Sequence, residues 1–178
     1  MIYDLVKPNN EILRVAAQEF NFQDPPLDPL ELASDLKESM IEHRGLGLSA
    51  CQIGLPWKVF VAGDPNDPDN IKVFFNPKIV SSSENIVLME EGCLSYPGLF
   101  IKVKRPDSIR IRYARSSGDI TTDVFDGVPA RVVQHEYDHM SGVIFKTRAT
   151  KFHYEQAVRQ KKKLDKMRKL NEQRIRVL

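Results

Sequence analysis

The sequence has little cysteine: Cys51 and Cys93 are the only two among 178 residues. Two cysteines can form one disulfide at most, which excludes a small secreted scaffold held together by several disulfides. Long hydrophobic runs are missing as well, so no segment reaches the length of a membrane span. No apolar stretch follows a charged amino terminus. We therefore expect free thiols, no membrane segment and no secretion.

Internal repeats and low-complexity tracts are also missing from the sequence. With 178 residues, of which 42% are hydrophobic, the chain can bury a substantial core. We expect one domain over residues 1–178, with residues 148–178 as a basic carboxy-terminal helical extension.

A run of chemically informative residues is present at His135-Glu136-Tyr137-Asp138-His139. Residues four apart lie on the same face of a helix, so the two imidazoles can hold one metal ion. Glu136, between them, can then act as the general base of a metal-assisted hydrolysis. The alternative is a chance grouping on a solvated helix.

The residues around this run favour a buried helix. Asp126-Gly127 followed by Pro129 predicts a helix start, and Gly142 predicts its end. The residues between are largely apolar, so the histidines and Glu136 need polar partners, which a metal would supply. We expect Arg131, near the helix start, to be solvated.

A catalytic zinc-like site normally has three protein ligands. One protease group places a third histidine six residues after the second, but here Phe145 occupies that position. His153 and Glu155 are weak candidates because their segment is crowded with Lys and Arg. Cys93, whose thiolate suits zinc or iron, is the strongest upstream candidate.

A third cluster runs from Gly45 to Gln52, with glycines at positions 45 and 47. It lacks the remaining residues of a phosphate-binding loop. Its glycines indicate close backbone approach to a strand or an extended ligand. The side-chain amide of Gln52 can donate a hydrogen bond to a developing oxyanion. For Cys51 we favour a buried free cysteine.

Helix and strand signals surround these clusters. Asp28-Pro29 predicts a helix start, and Gly45 its end. Short apolar segments between residues 57 and 125 predict strands: Lys58–Ala62, Val73–Phe75, Ile86–Met89 and Ile109–Tyr113. The predicted fold is α+β, with mixed or antiparallel strands around a central metal-binding helix, an amino-terminal helix and a basic carboxy-terminal helix.

Together the three clusters resemble the peptide deformylase family. Its Glu-Gly-Cys-Leu-Ser segment is met by Glu91–Ser95, and its Gln-His-Glu-x-Asp-His segment by Gln134–His139. Its Gly-x-Gly-apolar-Ala-Ala-x-Gln segment is met except that Ser49 stands where the family usually has alanine. If buried, the Ser49 hydroxyl needs a hydrogen-bond partner.

The resemblance implies an enzyme that removes formate from the N-formyl-methionine of new polypeptides. It implies that Cys93, His135 and His139 bind one divalent metal, expected to be Fe²⁺, with Zn²⁺, Ni²⁺ and Co²⁺ as alternatives. Glu136 would be the general acid/base, and Gln52 with the backbone amide of Leu94 would stabilise the oxyanion.

For the methionine side chain we expect an apolar pocket beside the motifs. Leu46 and Gly47 would pair with an extended substrate. The remaining candidate lining residues are Met89, Val128 and Val132. We expect a cytoplasmic monomer of bacterial or phage-like origin, and the sequence leaves an organellar one open.

The charge of the chain is divided unevenly. Residues 146–178 hold twelve Lys or Arg and three Asp or Glu, a net +9 against −7 for the rest. Apolar residues at roughly helical spacing form a stripe that can dock while the rest of the helix stays charged: Ala157, Leu164, Met167 and Leu170. A solvated basic helix and a surface for an anionic partner both fit. The resemblance makes the ribosome the expected partner.

Two other classes of protein remain open. A metalloprotease would take its third ligand downstream of His139. A nucleic-acid-binding module would use the basic tail and a structural metal, which is usually closed by a fourth protein ligand. Cys51 is the candidate for that ligand.

Overall fold

Helices and antiparallel strands make up the fold in the computed structural model, which describes the backbone of residues 1–175 and the side chains of residues 1–171. The helices are α1 (Pro29–Glu42), α2 (Gly127–Met140) and α3 (Lys151–Ile175). The strands are β1 (Gly47–Ser49), β2 (Val59–Ala62), β3 (Lys72–Ser82), β4 (Ile86–Glu91), β5 (Ile101–Pro106), β6 (Ser108–Ala114) and β7 (Ile120–Asp126). One sheet has the order β1-β2-β3-β6-β7, and the other pairs β4 with β5. The predicted α+β class is confirmed.

The amino-terminal helix α1 begins where the sequence predicts. The side chain of Asp28 accepts hydrogen bonds from the backbone N–H groups two and three residues later, at 2.8 and 3.0 Å. Pro29 occupies the first turn. The helix ends at Glu42, slightly before Gly45. Its apolar stripe is buried: Leu32, Ala33, Leu36 and Met40.

The four predicted strands are present, but β3 continues to Ser82 instead of ending at Phe75. The strand passes Pro77, which lacks an N–H, through a shift in the pairing with β6. Asn76 takes a φ of 47° there. Its side chain exchanges two 2.8 Å hydrogen bonds with the backbone of Phe20, which fixes the irregular segment.

Helix α2 is the central element and packs against β1, β2, β6 and β7. Its apolar residues Ala130, Val133 and Met140 join a core cluster with residues of the larger sheet. After the helix, Gly142 takes a φ of 68°. A Cβ there would come within 2.6 Å of the Arg14 backbone, so glycine is required at this turn. The predicted start and end of this helix are confirmed.

Helix α3 docks through its first turns. Ala157 is 6% exposed and packs with Leu99, Ile101 and Phe145. The three other members of the predicted stripe do not dock within the described part of the chain. Their exposed fractions are about one half: Leu164 54%, Met167 52% and Leu170 49%.

The extension predicted over residues 148–178 corresponds to α3 as far as residue 175, and residues 176–178 lie outside the described part of the chain. No helix within residues 1–175 is long and apolar enough to span a membrane. That residues 1–178 form one catalytic domain stays a prediction.

Candidate metal centre and active site

Three potential metal ligands converge from two parts of the chain. His135 and His139 lie one turn apart on α2, and Cys93 lies in the loop after β4. Their donor atoms are all within 4.8 Å of one another, and Cys93 Sγ is 3.4 Å from Nε2 of His139. Within the described chain they form the one group of three or more His, Cys, Asp or Glu side chains with this geometry.

The surroundings of these three side chains fit a divalent metal. Nδ1–H of His135 donates to Glu91 Oε2 at 3.1 Å, which leaves Nε2 for the cluster. Burial alone lowers the pKa of His135, but Cys93 and Glu91 raise it to about 10, so positive charge is favoured here. Burial lowers the pKa of His139 to about 3, which keeps that imidazole neutral. A thiolate with two imidazoles suits zinc or iron.

The other candidate ligands do not join this cluster. His153 and Glu155 lie on α3 and are outside the converging group. Phe145, in the position of the protease histidine, is buried with its ring 5.5 Å from the ring of His135. The Sγ of Cys51 is 4.0 Å from the carbonyl oxygen of His139, so this thiol faces the helix backbone. Cys51 is 1% exposed, as expected for a buried free cysteine.

Glu136 is a buried carboxylate beside the cluster, 4% exposed. The hydroxyl of Ser49 donates to its Oε2 at 2.6 Å, which supplies the partner that a buried serine needs. A Cβ on Gly47 would lie 2.6 Å from Oε1, so glycine is required for the close approach of β1. Burial raises the pKa of Glu136, which is the direction that suits a general acid/base near neutral pH.

Gln52 lies in a 3-10 helix, Ala50–Ile53, that follows β1. Its Oε1 accepts the backbone N–H of Ser49 at 2.9 Å, so its amide nitrogen points the other way. That Nε2 donates to Ser95 Oγ at 3.0 Å and lies 3.6 Å from Cys93 Sγ. Leu94 directly follows Cys93, and both residues line a cavity beside the cluster. Of the two predicted oxyanion donors, Gln52 therefore lies beside Cys93 in space, and Leu94 follows Cys93 in the chain.

A buried network of charges supports the helix that carries the histidines. Glu91 accepts hydrogen bonds from Arg105 at 2.6 and 2.9 Å and from Arg131 at 3.0 Å. Asp138 accepts from Arg105 at 2.8 Å and from Arg148 at 2.6 and 3.1 Å. Burial alone raises the pKa of Glu91, but hydrogen bonds from Arg105 and His135 lower it to about 2. The carboxylate that orients His135 is therefore ionised.

The expectation that Arg131 is solvated is wrong. Its side chain is 6% exposed and also donates to the carbonyls of Val87 and Val103, at 2.7 and 2.9 Å. Arg105 was not singled out in the sequence at all. The sequence pattern could have predicted the burial of both arginines. Arg131 lies one helical turn before His135, and Arg105 alternates in β5 with the same phase as buried residues.

Above the cluster opens a cavity of about 460 Å³. All five predicted substrate-binding residues line it: Leu46, Gly47, Met89, Val128 and Val132. Further residues that the sequence did not predict also line it, among them Arg44 and Phe100. Phe100 is 56% exposed. Its ring packs against Gly92 so closely that a Cβ on that glycine would lie 2.7 Å from a ring carbon. Because both residues lie in loops, no helix or strand periodicity in the sequence points to them.

A buried helix that offers two imidazoles and a carboxylate, with a thiolate from a neighbouring loop and an apolar cavity above, is the arrangement of a metal-dependent hydrolase. Comparison with known proteins narrows this class. The family model described as "Polypeptide deformylase" matches residues 2–155. The chain belongs to the polypeptide deformylase family.

Individual relatives agree with the family match. Peptide deformylase of Prochlorococcus marinus (strain NATL1A) is 41% identical over 124 residues, which are 67% of this chain and 60% of that relative. The match thus spans less than two thirds of that curated protein. A peptide deformylase structure from Legionella pneumophila has a TM-score of 0.82 at 30% identity, covering 94% of this chain and 98% of that one.

A second solved structure is similar over most of its length. It is a Met-Ala-Ser-bound class I type b peptide deformylase from Acinetobacter baumannii, with a TM-score of 0.76 and 32% identity. The alignment covers 83% of this chain and 98% of that one. These likenesses also agree with the α+β fold.

Proposed function

We propose that the protein is a metal-dependent peptide deformylase, which removes the formyl group from N-formyl-methionine at the start of new polypeptides and releases formate. One observation carries the proposal: the converging donors of Cys93, His135 and His139 lie beside the buried carboxylate of Glu136. Membership of the deformylase family supports it.

Cys93, His135 and His139 would hold one divalent metal, with Fe²⁺ as our first choice and Zn²⁺, Ni²⁺ or Co²⁺ as alternatives. When bound, such an ion polarises a carbonyl oxygen and lowers the pKa of a neighbouring water. Glu91 keeps His135 in the orientation that this role requires, through the 3.1 Å hydrogen bond to Nδ1.

Glu136 would move the proton of the reaction. Its carboxylate takes a proton from the attacking water and later gives it to the amine that leaves, as the bond between the formyl carbon and the nitrogen breaks. The raised pKa of Glu136, caused by burial, lets the same side chain act first as base and then as acid. The products are formate and a free methionine amine.

Gln52 and Leu94 would stabilise the oxyanion that forms on the formyl carbon. The hydrogen bond from Ser49 N–H to Gln52 Oε1 fixes the amide with its donor side toward Cys93. The backbone N–H of Leu94 is the second donor in the proposal. Donors held in place before the reaction lower its barrier without reorganising.

The cavity of about 460 Å³ would take the methionine side chain among Met89, Val128 and Val132. In the described sheet β1 pairs with β2 alone, so its other edge is free of a strand. An extended substrate could add there, beside Leu46 and Gly47. The Met-Ala-Ser bound to the Acinetobacter baumannii relative supports a short peptide beginning with methionine as ligand.

For the cellular setting we propose a cytoplasmic monomer whose helix α3 contacts the ribosome near the emerging chain. The helix offers exposed lysines on one face, including Lys162, Lys166 and Lys169. A basic surface of this kind attracts anionic partners such as RNA.

Formate release from a formyl-Met-Ala-Ser peptide by the iron-loaded protein, kept anaerobic, tests this function. We expect formate from the formyl peptide and no acetate from the matched acetyl peptide. Replacing Glu136→Ala should lower kcat by about 100-fold or more, because general acid–base catalysis contributes roughly 10²–10⁴-fold. Formate release no faster than in the Glu136→Ala protein would exclude the proposal.

A further inference from the structure

Ser49 contacts two side chains of the proposed active site through two different groups. Its backbone N–H donates to Gln52 Oε1 at 2.9 Å, and its hydroxyl donates to Glu136 Oε2 at 2.6 Å. All three residues are buried. A substitution of the side chain therefore removes the bond to Glu136 and the capping contact with the Gln52 backbone, and it leaves the bond from the Ser49 backbone to the Gln52 side chain in place.

The hydroxyl of Ser49 has a choice of acceptors. The main-chain carbonyl of Glu136 lies 3.3 Å from Oγ, and the carboxylate of the same residue lies at 2.6 Å. A hydroxyl has one proton, and of the two contacts only the shorter one has the length of a good O–H···O hydrogen bond. Satisfying a buried serine would need only the carbonyl, so the contact with the carboxylate has a separate consequence.

That consequence is a fixed carboxylate. Oε2 of Glu136 is taken by Ser49, while Oε1 makes no hydrogen bond to the described residues and borders the cavity beside Gly47. We propose that Ser49 is a positioning residue, which holds Glu136 so that Oε1 alone handles the proton of the reaction. This inference rests on the deformylase function proposed above.

The test compares Ser49→Ala with Ser39→Ala, which removes another fully buried hydroxyl. Ser39 lies on α1, where its Oγ accepts the backbone N–H of Tyr3 at 3.0 Å. Both variants are assayed with formyl-Met-Ala-Ser at equal metal content. We expect Ser49→Ala to lower kcat about 10-fold with KM unchanged, because the loss of a side chain that orients a functional group typically costs at least that much activity. We expect Ser39→Ala to keep the kcat of the unmodified protein.

An unchanged kcat in Ser49→Ala, or an equal fall in Ser39→Ala, would overturn the inference. Crystal structures of the unmodified protein and Ser49→Ala give a second readout that does not depend on activity. We expect one orientation of the Glu136 carboxylate in the former and more than one in the latter. A single, unmoved carboxylate in Ser49→Ala overturns the positioning role, whereas absent formate release in the unmodified protein overturns the proposed function alone.

Discussion

The carboxylate of Glu136 is enclosed by residues that leave it little freedom. Ser49 bonds to Oε2, and the backbone of Gly47 approaches Oε1 so closely that a Cβ would lie 2.6 Å away. Gly47 is therefore required because it has no Cβ atom. At this scale the proposed chemistry depends on a few ångströms of space around one side chain.

Replacing Gly47→Ala should displace Glu136 and lower kcat by about 100-fold, since a shift of about 1 Å in a reacting group can cost that much. Metal content should stay that of the unmodified protein, because the three atoms nearest to the new methyl group all belong to Glu136, which is not a proposed ligand. The neighbouring Leu46→Ala, whose side chain is 49% exposed at the cavity, is the control. It should raise KM and leave kcat near its original value; an unchanged kcat in Gly47→Ala contradicts the account.

Much of the candidate site could be read from the sequence because its chemistry is local. The spacing of His135 and His139 corresponds to one helical turn. Phe145 stands where one protease group has its third histidine, so Cys93 was the strongest candidate for the third ligand. The partners of these residues could not be read in the same way. Glu91 contacts His135 across 44 positions of sequence, and only the packing of β4 against α2 brings the two together.

Among the elements, strand β5 and helix α2 are joined by buried charges. Arg105 from β5 bonds to Glu91 on β4 and to Asp138 on α2. The alternation of β5 places Arg105 on the same face as buried Ile101 and Val103, so its burial was readable in principle. The partners of Arg105 could not be predicted from the sequence, because the pairing of charges depends on which elements pack together.

Replacing Glu91→Gln should lower the free energy of unfolding by about 3–5 kcal/mol, because buried Arg131 loses its anionic partner and buried Arg105 keeps only Asp138. Urea denaturation of the metal-free protein measures this without the contribution of bound metal. The control is Asp123→Asn, which breaks the half-exposed ion pair with Lys72. That change should cost about 1 kcal/mol at most. Equal losses in the two variants would contradict the proposed network.

Helix α3 combines a docked start with an exposed, basic remainder. The sequence predicted the helix and its charge, but it did not show how much of the apolar stripe is covered. Amphipathic spacing indicates a face that can dock, and it does not say whether another element reaches that far. The exposed remainder is the surface that we propose for an anionic partner.

Reversing three charges on that surface should weaken ribosome binding, measured by co-sedimentation at increasing salt. The reversed variant carries Lys162→Glu, Lys166→Glu and Lys169→Glu. The control makes the same charge change on exposed positions of the larger sheet: Lys78→Glu, Arg110→Glu and Arg112→Glu. We expect the α3 variant to sediment with ribosomes only at lower salt than the control. Identical salt dependence of the two variants would rule out the contact through α3.

Taken as a whole molecule, the chain separates its roles along its length. Residues 146–178 carry a net +9, and the preceding residues, which contain every proposed ligand and catalytic group, carry −7. Two sheets and a central helix hold Cys93 and the two histidines together, and the basic helix extends from them. Removing the metal should therefore abolish activity without disturbing the proposed contact of α3.

The central claim is that one divalent metal, held by Cys93, His135 and His139, makes this chain a deformylase. Anaerobic titration of the metal-free protein with Fe²⁺, followed by formate release from formyl-Met-Ala-Ser, tests it most directly. We predict that activity rises in proportion to added iron and levels off at one ion per chain, and that Cys93→Ala shows no such rise. Full activity without metal, or an equal rise in Cys93→Ala, would contradict it.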